Sequence, residues 1–255
     1  MALLTDRCIC LRRIQYSETS QIVNLFGRHL GVFRAIAKGA HRRTKAGASR
    51  FDGGVDLLDV GDALATNPAD RDLATLAEWK LADGHIDLRQ NQRGLYLALY
   101  CSELVGLLIH ENDPHLAVFD LTVWLLEQLA TSRLEESFVA YQLELLTHTG
   151  FVPQFGQCVG CGKKPPAGRV TFSYAGGGVI CPQCAAPEGE KVSVDSRLLR
   201  MLDTMLHLPH QQGIPQRLPR LTRQQSDPAN RLLAGYLRNM LGHKLRVAPY
   251  VLENS

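Results

Sequence analysis

The sequence predicts an α+β protein in which an N-terminal β-barrel is followed by an α-helical domain with a four-cysteine metal knuckle. Three observations favour this class. Five short apolar runs separated by turn residues fill the first 80 positions, a helical period begins near residue 86, and two C-x2-C pairs interrupt the helices. We therefore expect a barrel domain at residues 1–82 and a helical domain at 83–255, interrupted at 155–190 by the knuckle.

The apolar runs of the first domain predict five strands. Five strands in about 80 residues, with a long basic connection between the third and the fourth, are compatible with an OB-type barrel. An SH3-like barrel has a similar pattern, so the sequence alone leaves both open. The five runs are CICLRRI, QIVNLF, GVFRAIA, GVDLLDV and LATLAEWKL.

The second domain shows five segments with helical periodicity. Two of them begin at an Asp-Pro pair, where Asp suits the N-cap and Pro the first helical position, and two end before a glycine suited to a left-handed C-cap. Residues 209–226, with three prolines and three arginines, predict a surface loop. The helical segments are Gly94–Ile109, Asp113-Pro114 through HLAVFDLTVWLLEQLA, Leu134–Thr149, SVDSRLLRMLDTMLHL, and Asp227-Pro228 through to Gly242.

Composition excludes several classes of protein. The chain is 45% hydrophobic, yet no run approaches the roughly 18 apolar residues of a membrane span, and early charges argue against a signal peptide. We expect a cytoplasmic protein. The net charge of +3 is unevenly distributed: residues 1–80 have 12 Lys/Arg against 9 Asp/Glu, residues 81–150 have 3 against 10, and residues 151–255 have 13 against 6. The stretch Arg28–Arg50 has seven basic residues and no acidic one, which indicates a polyanion-binding surface or a solvated loop.

Four of the seven cysteines have the spacing of a zinc site. Cys158, Cys161, Cys181 and Cys184 form two C-x2-C pairs 19 residues apart. Four thiolates fill a tetrahedral coordination sphere, so we predict one structural Zn²⁺ and no catalytic metal. With little apolar core, the insert should depend on the ion for its fold. The cysteines that remain, Cys8, Cys10 and Cys101, are expected to be buried thiols.

Signatures of catalysis fail on inspection, and no catalytic residue is predicted. HENDPH places its second histidine five residues after the first with a proline between, so both rings cannot share one face of a helix. CPQC lacks the preceding proline and the upstream H-x-E of a deaminase. A phosphate-binding glycine loop followed by Lys-Ser/Thr does not occur. These results favour a protein that is not an enzyme.

The order of these parts, with several local strings, resembles the RecO family of bacterial recombination and repair mediators. The resemblance extends over nearly the whole chain. It departs at Arg28-His29, where the family often has Thr- or Ser-rich sequence, and in a short basic tail. The strings are SETSQIVNLFGRHLGVFRAIAKGAHRRTKAGASRFDG, LYLALYCSELVGLLIHENDPHLAVFDLTVWLLEQL, FVAYQLELLTHTGFVPQFGQCVGCG, GGGVICPQC and YLRNMLGHKLR.

The resemblance implies an OB barrel, a helical domain interrupted by a zinc knuckle, and no enzymatic turnover. It also implies partners: single- and double-stranded DNA, RecR, the C-terminal tail of single-strand-binding protein and, indirectly, RecA. The implied activities are annealing of complementary strands and, with RecR, loading of RecA onto coated strands, at the bacterial nucleoid. A non-catalytic protein-interaction adaptor with a structural zinc is the alternative.

The basic stretch supplies candidate DNA contacts. We predict that Arg34, Lys38, Arg42, Arg43 and Lys45 bind phosphates without regard to sequence. Phe33 and Phe51 could stack on bases if they are exposed, but we expect them to be core residues. Arg231 and Arg238, seven residues apart on one helix face, are a weaker candidate, since a solvated helix has the same pattern. The C-terminal tail of single-strand-binding protein ends in acidic and apolar residues. Binding it requires an apolar pocket rimmed with Lys or Arg in the helical domain, and the sequence does not locate this pocket.

Overall fold

A computed structural model describes residues 3–40, 50–51, 53–67, 69, 72–185 and 189–252. The chain divides into two compact units, unit one at residues 1–131 and unit two at 132–255. The three helices that follow the N-terminal strands thus belong to the same compact unit as those strands. Each unit is described by itself below. Within the described residues, no helix is both long enough and apolar enough to cross a membrane.

Unit one begins with the five predicted strands. They pair in the order β1-β2-β3-β5-β4, and β4 pairs back to β1, so that the sheet closes into a barrel. Neighbouring strands are antiparallel except β3 and β5, which are parallel. The strands are β1 (Leu3–Gln15), β2 (Gln21–Gly27), β3 (Gly31–Ala37), β4 (Val60–Thr66) and β5 (Ala74–Asp83).

The fourth strand lies later in the chain than the sequence predicted. The run GVDLLDV was expected to be a strand, but it ends where β4 begins, at Val60. Two aspartates bend this run, because the Asp59 carboxylate accepts the N–H of Asp56 at 2.8 Å and the Asp56 carboxylate accepts the N–H of Leu57 at 2.7 Å. Aspartate side chains commonly form such turns with nearby backbone N–H groups.

The barrel core is formed by side chains that alternate along the strands. Cys8, Val23, Leu25, Phe33 and Ala35 point inward and are buried, together with Trp79 of β5. A bulge in β1 between Cys10 and Arg12 places Leu11 as an extra residue opposite β2. As a result, Arg12 pairs with Asn24, which lies between the inward-facing Val23 and Leu25, and Arg12 is exposed.

Three helices complete unit one: α1 (Ile86–Gln90), α2 (Gln92–Leu108) and α3 (Leu116–Leu129). The prediction that a helix begins at Asp113-Pro114 was wrong by two to three residues. Glu111 forms a bridge with Val32 of β3, and Asn112 donates its N–H to the Val32 carbonyl at 2.9 Å. Asn112 also has φ of 60°, and the N–H of Asp113 donates to the His110 carbonyl at 3.3 Å, so a turn attached to the sheet occupies these residues and α3 begins only at Leu116.

Unit two combines four helices of its described residues with a small sheet. The sheet has the order β7-β6-β8, and β6 and β7 form the hairpin that FSYAGGGVIC predicted. The elements are α4 (Leu134–His148), β6 (Arg169–Ser173), β7 (Gly178–Ile180), β8 (Lys191–Asp195), α5 (Ser196–Leu206), the short strands β9 (His210–Gln211) and β10 (Ile214–Pro215), α6 (Arg223–Leu241) and α7 (Ala248–Leu252).

Helix α6 begins four residues before the predicted Asp227-Pro228 start. Thr222 and Gln225 form a reciprocal capping box, which supplies a stronger start than Asp227. Pro228 consequently lies inside the helix. Gly242, with φ of 71°, ends it as predicted.

The predicted surface loop at residues 209–226 is attached to α4. Arg133 donates to the carbonyl of Leu218 at 2.9 Å, and the buried Glu136 carboxylate accepts the Leu221 N–H at 3.4 Å and lies 3.7 Å from Arg220. Its residues 210–211 and 214–215 also pair as β9 and β10. The segment is therefore an ordered part of unit two, and Arg220 is occupied by an internal carboxylate.

Candidate nucleic-acid interface and metal centre

The outward-facing side chains of β1, β2 and β3 form one continuous surface, which we call the β1–β3 face. Strand register places Arg12, Asn24 and Arg34 in one row across the sheet, and Ile14, Ile22 and Ile36 in the next. Lys38 follows on the same side two residues beyond Ile36, and Tyr16 follows Ile14 at the end of β1. The face is defined by Arg12, Ile14, Tyr16, Ile22, Asn24, Arg34, Ile36 and Lys38, all exposed or half-buried.

Helix α3 covers the adjoining part of this surface. Ile9, Phe26 and Val32 form the next outward row towards the β2–β3 turn, and all three are buried. The ring of Phe26 meets that of Phe119 on α3 edge to face, with centroids 5.6 Å apart. Arg28 fixes this packing through two hydrogen bonds of 2.9 Å to Asp120. The side chains beyond this row, which include the cations, remain accessible.

The structure brings together two of the five predicted DNA contacts. Arg34 and Lys38 are exposed on the β1–β3 face, and Arg34 lies 3.5 Å from the exposed carboxylate of Glu111. Such an exposed pair adds at most about 1 kcal/mol, so it does not prevent Arg34 from binding a phosphate. Arg42, Arg43 and Lys45 lie outside the described residues. Arg28, from the same basic stretch, is engaged with Asp120.

Sequence reasoning missed two members of this face, Arg12 and Tyr16, and assigned no contact to Arg50, which lines a recess beside it. Arg12 joins Arg34 in its row because of the bulge in β1, which a simple alternation of inward and outward residues does not reveal. Tyr16 is 64% exposed in the turn after β1. Arg50 is exposed and lines a recess of about 580 Å³ together with Tyr16 and Lys38. An aromatic residue inside the polar turn YSETS was the signal available for Tyr16.

Neither predicted phenylalanine stacking platform is accessible. Phe33 is 2% exposed and Phe51 is 3% exposed, and both belong to the barrel core. The core interpretation of these residues is thus confirmed. In the C-terminal candidate, Arg238 forms an ion pair with Glu190, and Arg231 is 56% exposed at the 4.0 Å limit of an ion pair with Asp227.

The four predicted zinc ligands converge in unit two. The sulfur atoms of Cys158, Cys161, Cys181 and Cys184 all lie within 4.8 Å of one another, and those of Cys161 and Cys181 are 3.8 Å apart. A tetrahedral site with Zn–S bonds of about 2.3 Å requires sulfur atoms about 3.8 Å apart. The Cys161–Cys181 distance already matches this geometry, and the cluster could hold one such ion once any sulfur atoms that lie farther apart move inward.

The local backbone explains why these cysteines meet. A Cβ at Gly160 would lie 2.8 Å from the Cβ and 3.0 Å from the Sγ of Cys184, so only glycine lets the first pair approach the second this closely. Gly162 has φ of 71° and donates to the Cys158 carbonyl at 2.8 Å, which closes the first knuckle. In the second knuckle, the N–H groups of Cys184 and Ala185 both donate to the carbonyl of Cys181 at 3.0 Å.

The surroundings of the four cysteines shift the pKa values of two of their thiols. Backbone N–H groups of Cys181 and Gly160 point at the Cys158 sulfur at 3.3 and 3.4 Å, and such donors, led by that of Cys181, lower the pKa of Cys158 to about 6. In contrast, hydrogen bonds with the sulfur atoms of Cys181 and then Cys161 raise the pKa of Cys184 to about 12. Without a metal the group thus retains protons, and a divalent cation would release them.

Aromatic side chains next to the cysteine turns pack against one another and against α6. Phe155 stacks on Phe172 of β6, with ring centroids 6.1 Å apart, and Phe172 also meets Tyr174 and Tyr236 edge to face. Tyr236 on α6 donates its hydroxyl to the carbonyl of Phe151 at 2.9 Å. The insert was expected to have little apolar core. The sheet next to the two cysteine turns does have one, because Phe172 packs against Tyr236 of α6.

The other cysteines are buried, as expected. Cys8, Cys10 and Cys101 are at most 1% exposed. Burial raises the pKa of each thiol above its ordinary value. Since the thiolate is the reactive form, these residues are unsuited to nucleophilic chemistry.

Comparison with known proteins agrees with this architecture. A family model described as "Recombination protein O N terminal" matches residues 1–85, and one described as "Recombination protein O C terminal" matches residues 89–249. The chain belongs to the RecO family. The two RecO family models meet at α1, so the C-terminal model includes α2 and α3, which are part of compact unit one.

Individual relatives within the RecO family extend the similarity. A protein of Rhodopirellula baltica named "DNA repair protein RecO" is 34% identical over 180 residues, which are 69% of this chain and 65%, slightly under two thirds, of that protein. A namesake from Anaeromyxobacter is 30% identical over 191 residues, 73% of each chain. Another, from Caldanaerobacter subterraneus, is 25% identical over an alignment of 257 positions that covers both chains completely.

Proposed function

We propose that this protein is a DNA-repair mediator that binds single- and double-stranded DNA through the β1–β3 face, without catalytic turnover. The observation that supports this most directly is the row of Arg12, Asn24 and Arg34 on the sheet, continued by the exposed Lys38. Cations spaced across a sheet can track a phosphate backbone and release its counterions on binding. The names of the relatives support the role in repair.

We propose further that the barrel is of the OB type. Its strand order, with β3 parallel to β5 and β4 closing on β1, fits a five-stranded Greek-key barrel. OB folds bind oligonucleotides on strands 2 and 3 and on the loop between strands 1 and 2, and both regions belong to the surface described here. Of the predicted contacts, Arg34 and Lys38 lie in this region, and Arg42, Arg43 and Lys45 belong to the same proposal. In this proposal the OB-type domain comprises residues 1–82 and the helical domain residues 83–255, interrupted at 155–190 by the knuckle.

Annealing requires no active-site residue. Two strands repel each other through their phosphates, and a cationic surface that neutralises part of that charge lowers the repulsion while the bases stay free to pair. In this proposal the protein anneals strands in this way and, with RecR, helps load RecA onto strands coated by single-strand-binding protein, in the bacterial cytoplasm at the nucleoid. The metal is Zn²⁺ in a structural role, because four thiolates would complete its coordination.

A groove in unit two fits the tail of single-strand-binding protein. It lies between β8, α5 and α6 with a volume of about 490 Å³. Leu198, Met201 and Leu232 supply apolar lining, and Arg169, Arg197 and Arg231 supply positive charge at the same groove. An acidic peptide that ends in apolar residues is complementary to this combination. We propose that the tail binds there.

A salt titration distinguishes the DNA-binding proposal from a protein-only adaptor. We expect the double variant Arg34→Glu/Lys38→Glu to bind a single-stranded oligonucleotide more weakly than the wild type and to reduce the slope of log affinity against log salt by roughly 1.4, at about 0.7 per contact. Lys80→Glu, at an exposed cation on β5, is the control for charge reversal outside this face: it should bind like the wild type, whereas the single variant Lys38→Glu, which makes the same change in charge, should bind more weakly.

Two results would contradict the proposal. If the wild type failed to bind DNA at low salt, the adaptor would be the better explanation. If the double variant bound and annealed coated strands as well as the wild type, the contact surface would lie elsewhere. Affinity by fluorescence anisotropy and annealing rate by strand-exchange fluorescence provide the two measurements.

A further inference from the structure

The recess at the end of the β1–β3 face combines an exposed aromatic ring with two cations. Its lining includes Tyr16, Thr19 and Ser20 from the β1–β2 turn, Lys38 after β3, and Arg50, with the buried Phe51 behind them. Tyr16 is 64% exposed, the largest exposed fraction of any described tyrosine. A single exposed apolar side chain is ordinary at a protein surface, but an exposed ring that lines the same recess as two cations offers a stacking surface beside positive charge for phosphates.

The turn holds Tyr16 in place rather than leaving it loose. The N–H of Tyr16 donates to the Ser20 carbonyl at 3.0 Å, and the N–H of Ser17 donates to the same oxygen at 3.1 Å. The Ser17 hydroxyl accepts the N–H of Ser20 at 3.2 Å, and Gln15 donates to the carbonyl of Ser17. A ring on so constrained a backbone loses little further freedom when a ligand stacks on it.

The two cations of the recess are also positioned by the barrel. Arg50 is anchored because its carbonyl accepts the N–H of Trp79 on β5 at 2.8 Å. Lys38 directly follows β3. Among the described residues, no carboxylate lies within ion-pair distance of either cation, whereas Arg7, Arg13 and Arg28 of the same unit are paired. Both positive charges are thus available to an anionic ligand.

We propose that Tyr16 is a stacking platform for an unpaired nucleobase, with Lys38 and Arg50 binding the adjacent phosphates. This inference rests on the proposed DNA-binding function and adds a preference for single strands. In a duplex each base is stacked between its neighbours, so a protein aromatic side chain can stack only on bases that are unpaired or at an end. The Thr19 and Ser20 hydroxyls offer hydrogen bonds to base edges or phosphates without selecting a sequence.

Continuity with the cationic row favours nucleic acid over a peptide as the ligand. A single strand of DNA that follows Arg12 and Arg34 along the face reaches Lys38 and then Tyr16 at the end of the barrel. The isoleucine row lies between them, where apolar side chains can contact sugars and base faces. An acidic peptide would use the cations but would have no need for a ring with an open face.

The test compares two ligands that share phosphates but differ in bases. We expect the wild type to bind an oligothymidine 5- to 150-fold more tightly than an abasic oligonucleotide of equal length, the range for one stacked base. Tyr16→Leu should lose this preference, keep the salt slope, and bind duplex DNA as the wild type does. Tyr16→Phe should retain the preference, and Tyr250→Leu, at an exposed tyrosine of unit two, serves as the matched control.

Each other outcome has a distinct meaning. If Tyr16→Leu binds oligothymidine as well as the wild type while Arg34→Glu/Lys38→Glu does not, the stacking inference is wrong and the DNA-binding proposal stands. If neither variant loses affinity, both fail. Equal losses on oligothymidine, abasic and duplex ligands would assign Tyr16 a structural role in the turn, and a loss confined to an acidic peptide with an apolar end would assign the recess to a protein partner.

Discussion

At the scale of single residues, Asp6 organises the turn between β2 and β3. Its carboxylate is buried and accepts the N–H groups of His29, Leu30 and Arg7 at 2.8, 2.9 and 3.0 Å, together with a contact from the His29 ring at 2.9 Å. A carboxylate that accepts several backbone N–H groups is among the stronger hydrogen-bond acceptors in proteins. Arg28 and His29 therefore make internal contacts, since His29 binds Asp6 in the turn and Arg28 binds Asp120 on α3.

We expect Asp6→Ala to lower the free energy of unfolding of unit one by about 3 kcal/mol, because three N–H groups lose an acceptor whose side chain is only 2% exposed. Asp62→Ala is the control. Asp62 is 41% exposed and pairs with Arg7 at 2.7 Å, so its loss should cost under about 1 kcal/mol. Urea denaturation measures both values. Equal costs for the two variants would show that the Asp6 network contributes no more than a surface ion pair.

At the scale of elements, the knuckle and the sheet β7-β6-β8 have different sources of stability. The cysteine turns have few apolar contacts of their own, while Phe155 and Phe172 attach the sheet to α6 through Tyr236. Loss of the metal should accordingly disorder the two turns and leave the helices of unit two folded. This differs from a zinc finger, where the metal decides folding of the whole module.

Replacement of Cys181 by serine tests this division. We expect the zinc content to fall from about one ion per chain to near zero, and the thermal midpoint to fall by roughly 10 °C, with helical circular dichroism largely retained. Cys10→Ala, at a buried thiol of the barrel, should keep its zinc. A Cys181→Ser protein that retains zinc, or that loses all helical signal, would contradict this account.

Element boundaries also show what the sequence could and could not predict. Strand count, the hairpin β6–β7, the convergence of the four cysteines and the Gly242 cap follow from local chemistry, and the structure agrees with them. The predicted starts of β4, α3 and α6 were wrong because contacts with distant residues, or a different local turn or cap, determine where these elements begin. A bridge from Glu111 to Val32 delays α3, and the Thr222 box outcompetes Asp227. Contacts between residues distant in sequence are invisible to local patterns.

At the scale of the whole molecule, the proposed DNA contacts and the metal ligands belong to different compact units. If the metal is structural and the β1–β3 face supplies the contacts, the two sites should be separable. We expect Cys181→Ser to bind a single-stranded oligonucleotide within about twofold of the wild type, at a temperature where it remains folded. A tenfold loss with an intact fold would show that the knuckle itself contributes to DNA binding.

The candidate interface could be predicted from the sequence only in part. Clustering of charge identified Arg34 and Lys38, because basic residues with no acidic neighbour stand out along the chain. Arg12 joins them through strand pairing and Tyr16 through its place in the turn directly after β1, and the Leu11 bulge changes which residues of β1 face outward. Arg28 belongs to the same basic stretch but was not among the predicted contacts, and the structure pairs it with Asp120.

The packing of α3 over Ile9, Phe26 and Val32 limits how long a ligand the open part of the face can hold. From Arg34 to Lys38 the chain rises about 13 Å at roughly 3.3 Å per residue. Nucleotides advance by about 3.4 Å each along one strand in duplex geometry. At this duplex spacing the length spans at most about four nucleotides, and an unstacked single strand, which is more extended, places fewer there. The bases on either side of so short a footprint would keep their pairing edges open to a complementary strand.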